Sequence, residues 1–145
     1  MKRALVYAAC IFIVSTAAAA PGSKLVQRFN ETFPNAKNVK WVDDKAGFFV
    51  SFSQNGNYNK VFYDKGGNFV YSLKYFSGDA LPINIIMALN EKYEAAKIIG
   101  ATELTTQNNT VYSVKLTKAD KIYATDLLAD GTVIKEENYI NGSVK

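Results

Sequence analysis

The feature that most constrains the fold of this chain is a sequence pattern that occurs twice. Residues 29–33 (Phe-Asn-Glu-Thr-Phe) correspond to residues 89–93 (Leu-Asn-Glu-Lys-Tyr), and residues 67–70 (Gly-Asn-Phe-Val) correspond to residues 131–134 (Gly-Thr-Val-Ile). The offset grows from 60 to 64 residues, which an insertion in the first connection of the second half would explain. Internal similarity of this kind indicates a duplicated unit, so we expect the two halves to fold alike.

Each half opens with a helical pattern. In the first half, Ser23 is expected to cap the free N–H groups of the first turn, and Pro34 ends the run because proline cannot continue a helix. In the second half, Pro82 suits a helix start. Both helices are amphipathic and need a surface to pack on. Their apolar residues recur at helical spacing: Leu25, Val26 and Phe29, then Ile85, Ile86, Leu89 and Tyr93.

Eight short segments rich in aromatic and β-branched residues follow, four after each helix. Turn sequences such as Asn-Gly-Asn and Lys-Gly-Gly separate them and are typical of hairpins, because Asn and Gly accept positive φ angles. The sequence therefore predicts an α+β fold of two tandem repeats, 23–76 and 81–140, each with one helix and a four-stranded antiparallel sheet, the helices packed on one sheet face. The predicted strands are 38–43, 47–53, 58–64, 68–76, 98–105, 110–117, 121–128 and 132–139. Residues 77–80 join the halves closely, so we expect the two sheets to lie side by side or to merge.

The N-terminus has the order of a secretory signal peptide: a basic start, an apolar stretch over 4–14 and then small residues. The apolar stretch is about half the ~20 residues that a membrane span needs. We expect cleavage after Ala19, leaving residues 20–145 as one periplasmic or secreted domain with no membrane span. Cys10 would allow lipidation as an alternative, but Tyr7 stands where a branched aliphatic residue is expected.

Missing residue types exclude most catalytic chemistry. The chain has no histidine, and its one cysteine lies in the segment expected to be removed. This leaves no Ser-His-Asp or Cys-His arrangement and no usual metal site. No Gly-rich phosphate loop occurs either. We therefore expect no enzyme, no cofactor and no metal site.

The charged residues give few further candidates. Removing Lys2 and Arg3 leaves 15 basic and 13 acidic residues scattered singly, which does not suit a nucleic-acid partner. The acidic candidates are three pairs: Asp43 with Asp44, Asp126 with Asp130, and Glu136 with Glu137. Neighbouring residues in a strand point to opposite faces, so an enzyme with two convergent carboxylates is the least favoured hypothesis.

Aromatic residues are the positive signal. In the second predicted strand, Phe49 lies opposite the apolar face formed by residues 48, 50 and 52; in the fourth, the residues at 69, 71, 73 and 75 share one side. If one sheet face packs under the helices, the other presents aromatic rings to solvent, and such clusters often mark interaction surfaces. The alternative is that these rings fill the seam between the halves. The candidate binding face comprises Trp41, Phe49, Tyr58, Phe62 and Tyr75.

Residues 33–41 (Phe-Pro-Asn-Ala-Lys-Asn-Val-Lys-Trp), followed by hairpins that end in 63–69 (Tyr-Asp-Lys-Gly-Gly-Asn-Phe), resemble the small exported PepSY-like or β-lactamase-inhibitor-like proteins of Bacteroidetes. The resemblance spans nearly all of the mature chain and implies a duplicated helix-plus-four-strand fold, an extracytoplasmic location and no known enzymatic activity. The inhibitor behind the family name grips its target enzyme with the open sheet face. The second half departs from the pattern, with Glu94, Ala95 and Ala101 where Pro34, Asn35 and Trp41 stand in the first.

Two functions follow as hypotheses. The first is a non-catalytic module that engages an exported protein, in the manner of an inhibitor, through the open face of the sheet. The alternative is a protein that binds an envelope carbohydrate or another small ligand with the same aromatic rings as stacking platforms.

Overall fold

The computed structural model describes residues 20–76 and 80–140, so the expected signal peptide, most of the 77–80 joint and the last five residues lie outside it. The first half consists of α1 (Ser23–Thr32), β1 (Lys37–Asp44), β2 (Gly47–Gln54), β3 (Asn57–Asp64) and β4 (Phe69–Phe76). The second consists of α2 (Ile83–Lys92), β5 (Lys97–Thr106), β6 (Thr110–Lys118), β7 (Lys121–Leu128) and β8 (Val133–Ile140).

All eight strands form a single antiparallel sheet in chain order, each strand paired with the next. Pairing of β4 with β5, from Tyr71 with Thr106 to Phe76 with Ala101, continues the sheet across the two halves. The α+β class and the antiparallel hairpins are confirmed. The β2–β3 turn uses the positive φ angles expected of its residues, 52° at Asn55 and 77° at Gly56.

Both helices lie on the same face of the sheet, here called the helix face. The side chains of Phe29 in α1 and Leu89 in α2 are almost fully buried, each at the centre of a separate apolar cluster. One cluster lies against β1–β4, and the other lies mainly against β5–β7. A helix is about 10 Å wide, whereas eight strands span roughly 35 Å, so two helices cannot cover the whole face.

Two local expectations are wrong. Gly22, with φ −60° and ψ 148°, holds the N-cap position of α1; Ser23 is the first helical residue, and no side chain caps the end. Phe69 does not share a side with Tyr71, because a bulge between the Phe62–Tyr71 and Tyr63–Phe69 pairs adds one residue to β4. The bulge turns Phe69 to the helix face, where it packs against the first apolar cluster.

The two clusters provide a matched stability test. We expect Phe29→Ala to lower the free energy of unfolding by about 3–5 kcal/mol and Leu89→Ala by about 2–5 kcal/mol, because each removes a fully buried side chain and leaves a cavity. Met87→Ala is the control, since Met87 lies on the outer side of α2 with 64% of its surface exposed. Its effect should stay within about 0.5 kcal/mol in urea unfolding. A Phe29→Ala cost as small as that of the control would contradict the packing described here.

Candidate binding face

The face of the sheet opposite the helices, here called the open face, carries a cluster of three aromatic rings. Phe49, Phe62 and Tyr71 are direct cross-strand neighbours on β2, β3 and β4. The ring centroids of Phe49 and Phe62 are 4.5 Å apart, and those of Phe62 and Tyr71 are 5.4 Å apart. The ammonium of Lys60 lies 4.4 Å from the centroid of Phe49. Phe49, Phe62 and Tyr71 are half-buried and are called the aromatic cluster below.

A second aromatic pair lies further along β3 and β4. Tyr58 and Tyr75 are cross-strand partners with ring centroids 5.7 Å apart. They are more exposed than the aromatic cluster, with 50% and 38% of their surface accessible. Tyrosine combines a large apolar ring with a hydroxyl that can donate or accept, which suits it to contact with a partner.

The structure therefore divides the five candidate residues. Phe49, Tyr58, Phe62 and Tyr75 lie together on the open face. Trp41 lies on the helix face, because its partner on β2 is the buried Val50. Its ring packs edge-on to Phe29 at 5.4 Å and stacks on Tyr63 at 6.0 Å. Trp41 thus completes the first apolar cluster, away from the other four.

Two residues of the open face were not singled out from the sequence. Tyr71 was assigned to the correct side by alternation, but its contact with Phe62 depends on the pairing of β3 with β4. Gly47 is only the first residue of a predicted strand, 47–53. A Cβ at Gly47 would collide with the Tyr63 carbonyl and come within 2.9 Å of the Phe62 ring. The missing side chain therefore makes room for the Phe62 ring in the aromatic cluster.

An apolar row extends the open face into the second half. Leu73 pairs with Leu104 across the β4–β5 junction. Leu104 then pairs with Val111, and Val111 with Leu128. All four side chains are half-buried. The apolar surface thus runs from the aromatic cluster across six of the eight strands.

Beside this row the open face has a depression of about 470 Å³. Gly100, Ser113 and Ala124 contribute small residues to it, and Tyr75 and Lys115 are larger lining residues. A Cβ at Gly100 would meet no heavy atom within 4 Å, so nothing fills the space above the backbone. The open face therefore has an aromatic surface in the first half and, beside it, a hollow formed mainly by the second half.

The acidic candidates are engaged separately. Asp43 binds Lys65 at 2.6 Å, whereas Asp44 accepts a hydrogen bond from its own turn, the N–H of Ala46. Asp130 likewise accepts from the N–H of Thr132 in its own turn. Asp126 lines the depression of the open face. In the described part of the chain, no group of three or more acidic or other metal-binding side chains is placed to hold a metal ion.

Glu136 and Glu137 lie on opposite faces of β8, as alternation predicts. Glu136 reaches α2, where it accepts hydrogen bonds from Lys92 at 2.7 Å and from the Tyr93 hydroxyl. These two bonds hold the pKa of Glu136 below its ordinary value. Burial and the bond to Glu136 raise the pKa of Tyr93. Glu137 binds Lys135 and Tyr139 of its own strand.

Comparison with solved structures supports the fold. A BLIP-like protein from Bacteroides fragilis NCTC 9343 gives a TM-score of 0.65 at 19% identity, over 88% of this chain and 93% of that one. A DUF2874 family protein from Bacteroides ovatus ATCC 8483 gives 0.64 at 21% identity, over 83% and 89%. A protein from Bacteroides eggerthii DSM 20697 that is proposed to be periplasmic gives 0.63 at 16% identity, over 86% and 94%.

No protein-family model matches the chain, and no curated protein matches it. At identities near 20% the similarity to solved structures establishes the fold alone: the chain has the same fold as these Bacteroides proteins, one of which is named BLIP-like. The PepSY-like part of the resemblance stays a prediction. Among the described residues, neither helix is long and apolar enough to cross a membrane.

The Glu136 contact makes a prediction about pH. Because the pKa of Glu136 is lowered from 4.5 in the folded protein, its stabilising contribution is present above that pH and disappears as the pH falls through the lowered value. We expect Glu136→Gln to reduce the free energy of unfolding at neutral pH by less than about 1 kcal/mol, since the pair is partly exposed, and to reduce it less near pH ~2.

Urea unfolding at the two pH values measures the difference. Glu137→Gln is the matched control. Glu137 bonds Lys135 and Tyr139 of its own strand, so we expect its replacement to lower the free energy of unfolding less than Glu136→Gln does. An equal loss at both pH values would show that the effect of Glu136→Gln does not come from the ionised carboxylate.

Proposed function

We propose that this protein is an exported, non-catalytic binding module that engages another protein through the open face of its sheet. The observation that carries the proposal is the aromatic cluster of Phe49, Phe62 and Tyr71, continued by the apolar row into the second half. Both helices pack on the other side. An extended apolar surface with a polar surround is a common mark of a protein interface.

The chemistry of the surface favours a protein partner. Aromatic rings are enriched at the centres of interfaces, where each supplies a large contact area at little cost in side-chain entropy. Lys60 lies over the Phe49 ring and adds a positive charge at the edge of the cluster. An exposed tyrosine pair, Tyr58 and Tyr75, extends the aromatic surface toward the depression. A partner that inserts a side chain into this depression would be complementary in shape to the open face.

The fold and the N-terminus are consistent with this role. A similar structure is named BLIP-like, and another is proposed to be periplasmic. The first 19 residues of this chain have the pattern of a signal peptide. We assign the protein to the periplasm or the exterior on these grounds, with residues 20–145 as its mature domain.

We further propose that the two halves arose by duplication and then took different roles. The repeated sequence segments and the twofold order of one helix and four strands support this. The open face of the first half is aromatic, whereas that of the second half has small residues at Gly100, Ser113 and Ala124. One copy thus supplies the aromatic surface and the other most of the hollow.

A carbohydrate partner on the same face is the second candidate. The depression favours it, because Tyr75 can stack against a sugar ring while Ser113 and Asp126 offer hydrogen-bonding groups. A protein partner would instead contact the aromatic cluster as well. The two candidates therefore differ in their dependence on Phe62.

Affinity capture tests the protein-partner proposal. The bait is the exported protein, purified after expression of the full chain and used against envelope extract of the source bacterium. A protein retained on the bait would then be purified and its affinity measured directly. We expect Phe62→Ser to weaken that affinity by about tenfold or more, as truncation of a central aromatic residue does in other interfaces.

Met87→Ser is the matched control, because it also replaces an exposed apolar side chain but lies on α2, on the helix face. Circular dichroism and melting temperature confirm that both variants are folded. Equal affinity of Phe62→Ser and the parent protein, or equal loss with Met87→Ser, would contradict binding at the open face. Binding of soluble glycans that depends on Tyr75 and not on Phe62 would favour the second candidate.

A further inference from the structure

The helix face has a polar cleft over the middle strands of the sheet, on the opposite side from the proposed protein interface. One cross-strand row shows why it is polar: Phe52 and Leu127 lie near its two ends, whereas Asn59, Lys74 and Glu103 lie between them. Each helix covers the apolar end of the row in its own half. The middle of this row lies between the two apolar clusters, and polar side chains occupy it.

The cleft has a volume of about 240 Å³ and is called the amide cleft below. This volume is below the ~300–1,000 Å³ of most ligand pockets, so the cleft suits one small molecule or one unit of a larger one. The residues that define it here are Phe33, Phe52, Asn57, Asn59, Lys74 and Glu103.

Asn57 is the observation that points to a ligand. Only 6% of its surface is exposed, and its side-chain oxygen, Oδ1, has no hydrogen-bond partner. Its Nδ2 donates to the carbonyl of Asn55 at 3.4 Å, so reversing the amide would set two oxygens against each other. A buried acceptor without a donor is costly and uncommon in folded proteins. Asn57 lines the cleft, so the wall of the cleft contains a buried acceptor without a donor.

The other polar groups define what would satisfy it. Asn59 donates its Nδ2 to the carbonyl of Asn57 at 3.1 Å, which leaves its side-chain oxygen as an acceptor. Glu103 already accepts from the Thr105 hydroxyl at 3.4 Å and bonds Tyr112, but a carboxylate has lone pairs for a further donor. Lys74 is a donor whose ammonium lies 4.6 Å from the Phe76 ring. Lys74 and Glu103 are cross-strand partners, but the ion pairs found among the described residues do not include this one.

One wall of the cleft is aromatic. The Phe33 and Phe52 rings pack with centroids 4.8 Å apart, and both line the cleft. A suitable ligand must therefore donate to amide oxygens and a carboxylate, accept from an ammonium and lay an apolar face on phenyl rings. Hydroxyl groups both donate and accept, and a sugar ring combines them with an apolar C–H face. An anion such as phosphate would instead meet acceptors at Asn57, Asn59 and Glu103.

We propose that the amide cleft binds a single neutral sugar unit, with the Asn57 and Asn59 side-chain oxygens and Glu103 accepting from its hydroxyls and Lys74 donating to it. The site is separate from the open face and adds a second binding activity to the one proposed above. Its chemistry is the same whether the sugar is free or the end of a larger glycan.

Titration of the exported protein with free sugars tests the proposal. The probes are glucose, galactose, mannose and N-acetylglucosamine, with glycine and inorganic phosphate as competitors of other classes. We expect at least one sugar to produce saturable nuclear magnetic resonance shifts at the side-chain amides of Asn57 and Asn59, and none at the Phe62 backbone. The proposal would be overturned if none of the sugars produced these shifts, if the shifts were confined to the open face, or if only glycine or phosphate gave saturable shifts.

Variants make the test independent of the interface proposal. Asn57→Ala should weaken sugar affinity by about tenfold, the effect of one hydrogen bond. The change also removes the 3.4 Å bond from Nδ2 to the Asn55 carbonyl, so the melting temperature is measured together with the affinity. Glu103→Gln tests the acceptor at the middle strands if Asn57→Ala does not fold. Tyr58→Ser, next to Asn57 but on the open face, is the matched control and should leave sugar affinity unchanged. Unchanged affinity in Asn57→Ala and Glu103→Gln would place any sugar elsewhere.

Discussion

The backbone pairing of β4 with β5 is the constraint on which the rest of this structure depends. It joins two helix-plus-four-strand units edge to edge, so that each hides the strand edge that the other would expose. Because antiparallel pairing keeps alternation in step across the junction, side chains that face the helices in one half share a face with those that do so in the other. One sheet of eight strands then has a single helix face and a single open face.

The width of that sheet explains the distribution of polarity on both sides. Two helices leave part of the helix face uncovered, and their apolar clusters form around Phe29 and Leu89. The middle strands carry Asn59, Lys74 and Glu103 on this side, where no apolar cluster covers them. On the open face the middle strands are apolar instead, since the apolar row, including Leu73 and Leu104, crosses the β4–β5 junction. The two proposed binding surfaces thus lie back to back across the middle of one sheet.

Several parts of the candidate site were predictable because they depend on period-two alternation alone. Phe49, Tyr58, Phe62 and Tyr75 could be placed on one face from their own strands. Trp41 could not, because apolar residues of β1 occur at both phases of the alternation, at Val42 as well as Trp41, so only pairing with β2 settles the face. The amide cleft was equally inaccessible, since it combines residues from three strands with Phe33, just after the end of α1.

The sequence by itself determined the order of elements, the antiparallel hairpins and the side of most strand residues, because helix periodicity, strand alternation and turn chemistry act over a few neighbouring residues. Tertiary structure alone decided that the two sheets are one, that a bulge turns Phe69 inward, and that Gly47 makes room for the Phe62 ring. It also decided that Asn57 is buried without a partner for Oδ1. These outcomes depend on contacts between residues far apart in the chain, whose register and free space no local pattern specifies.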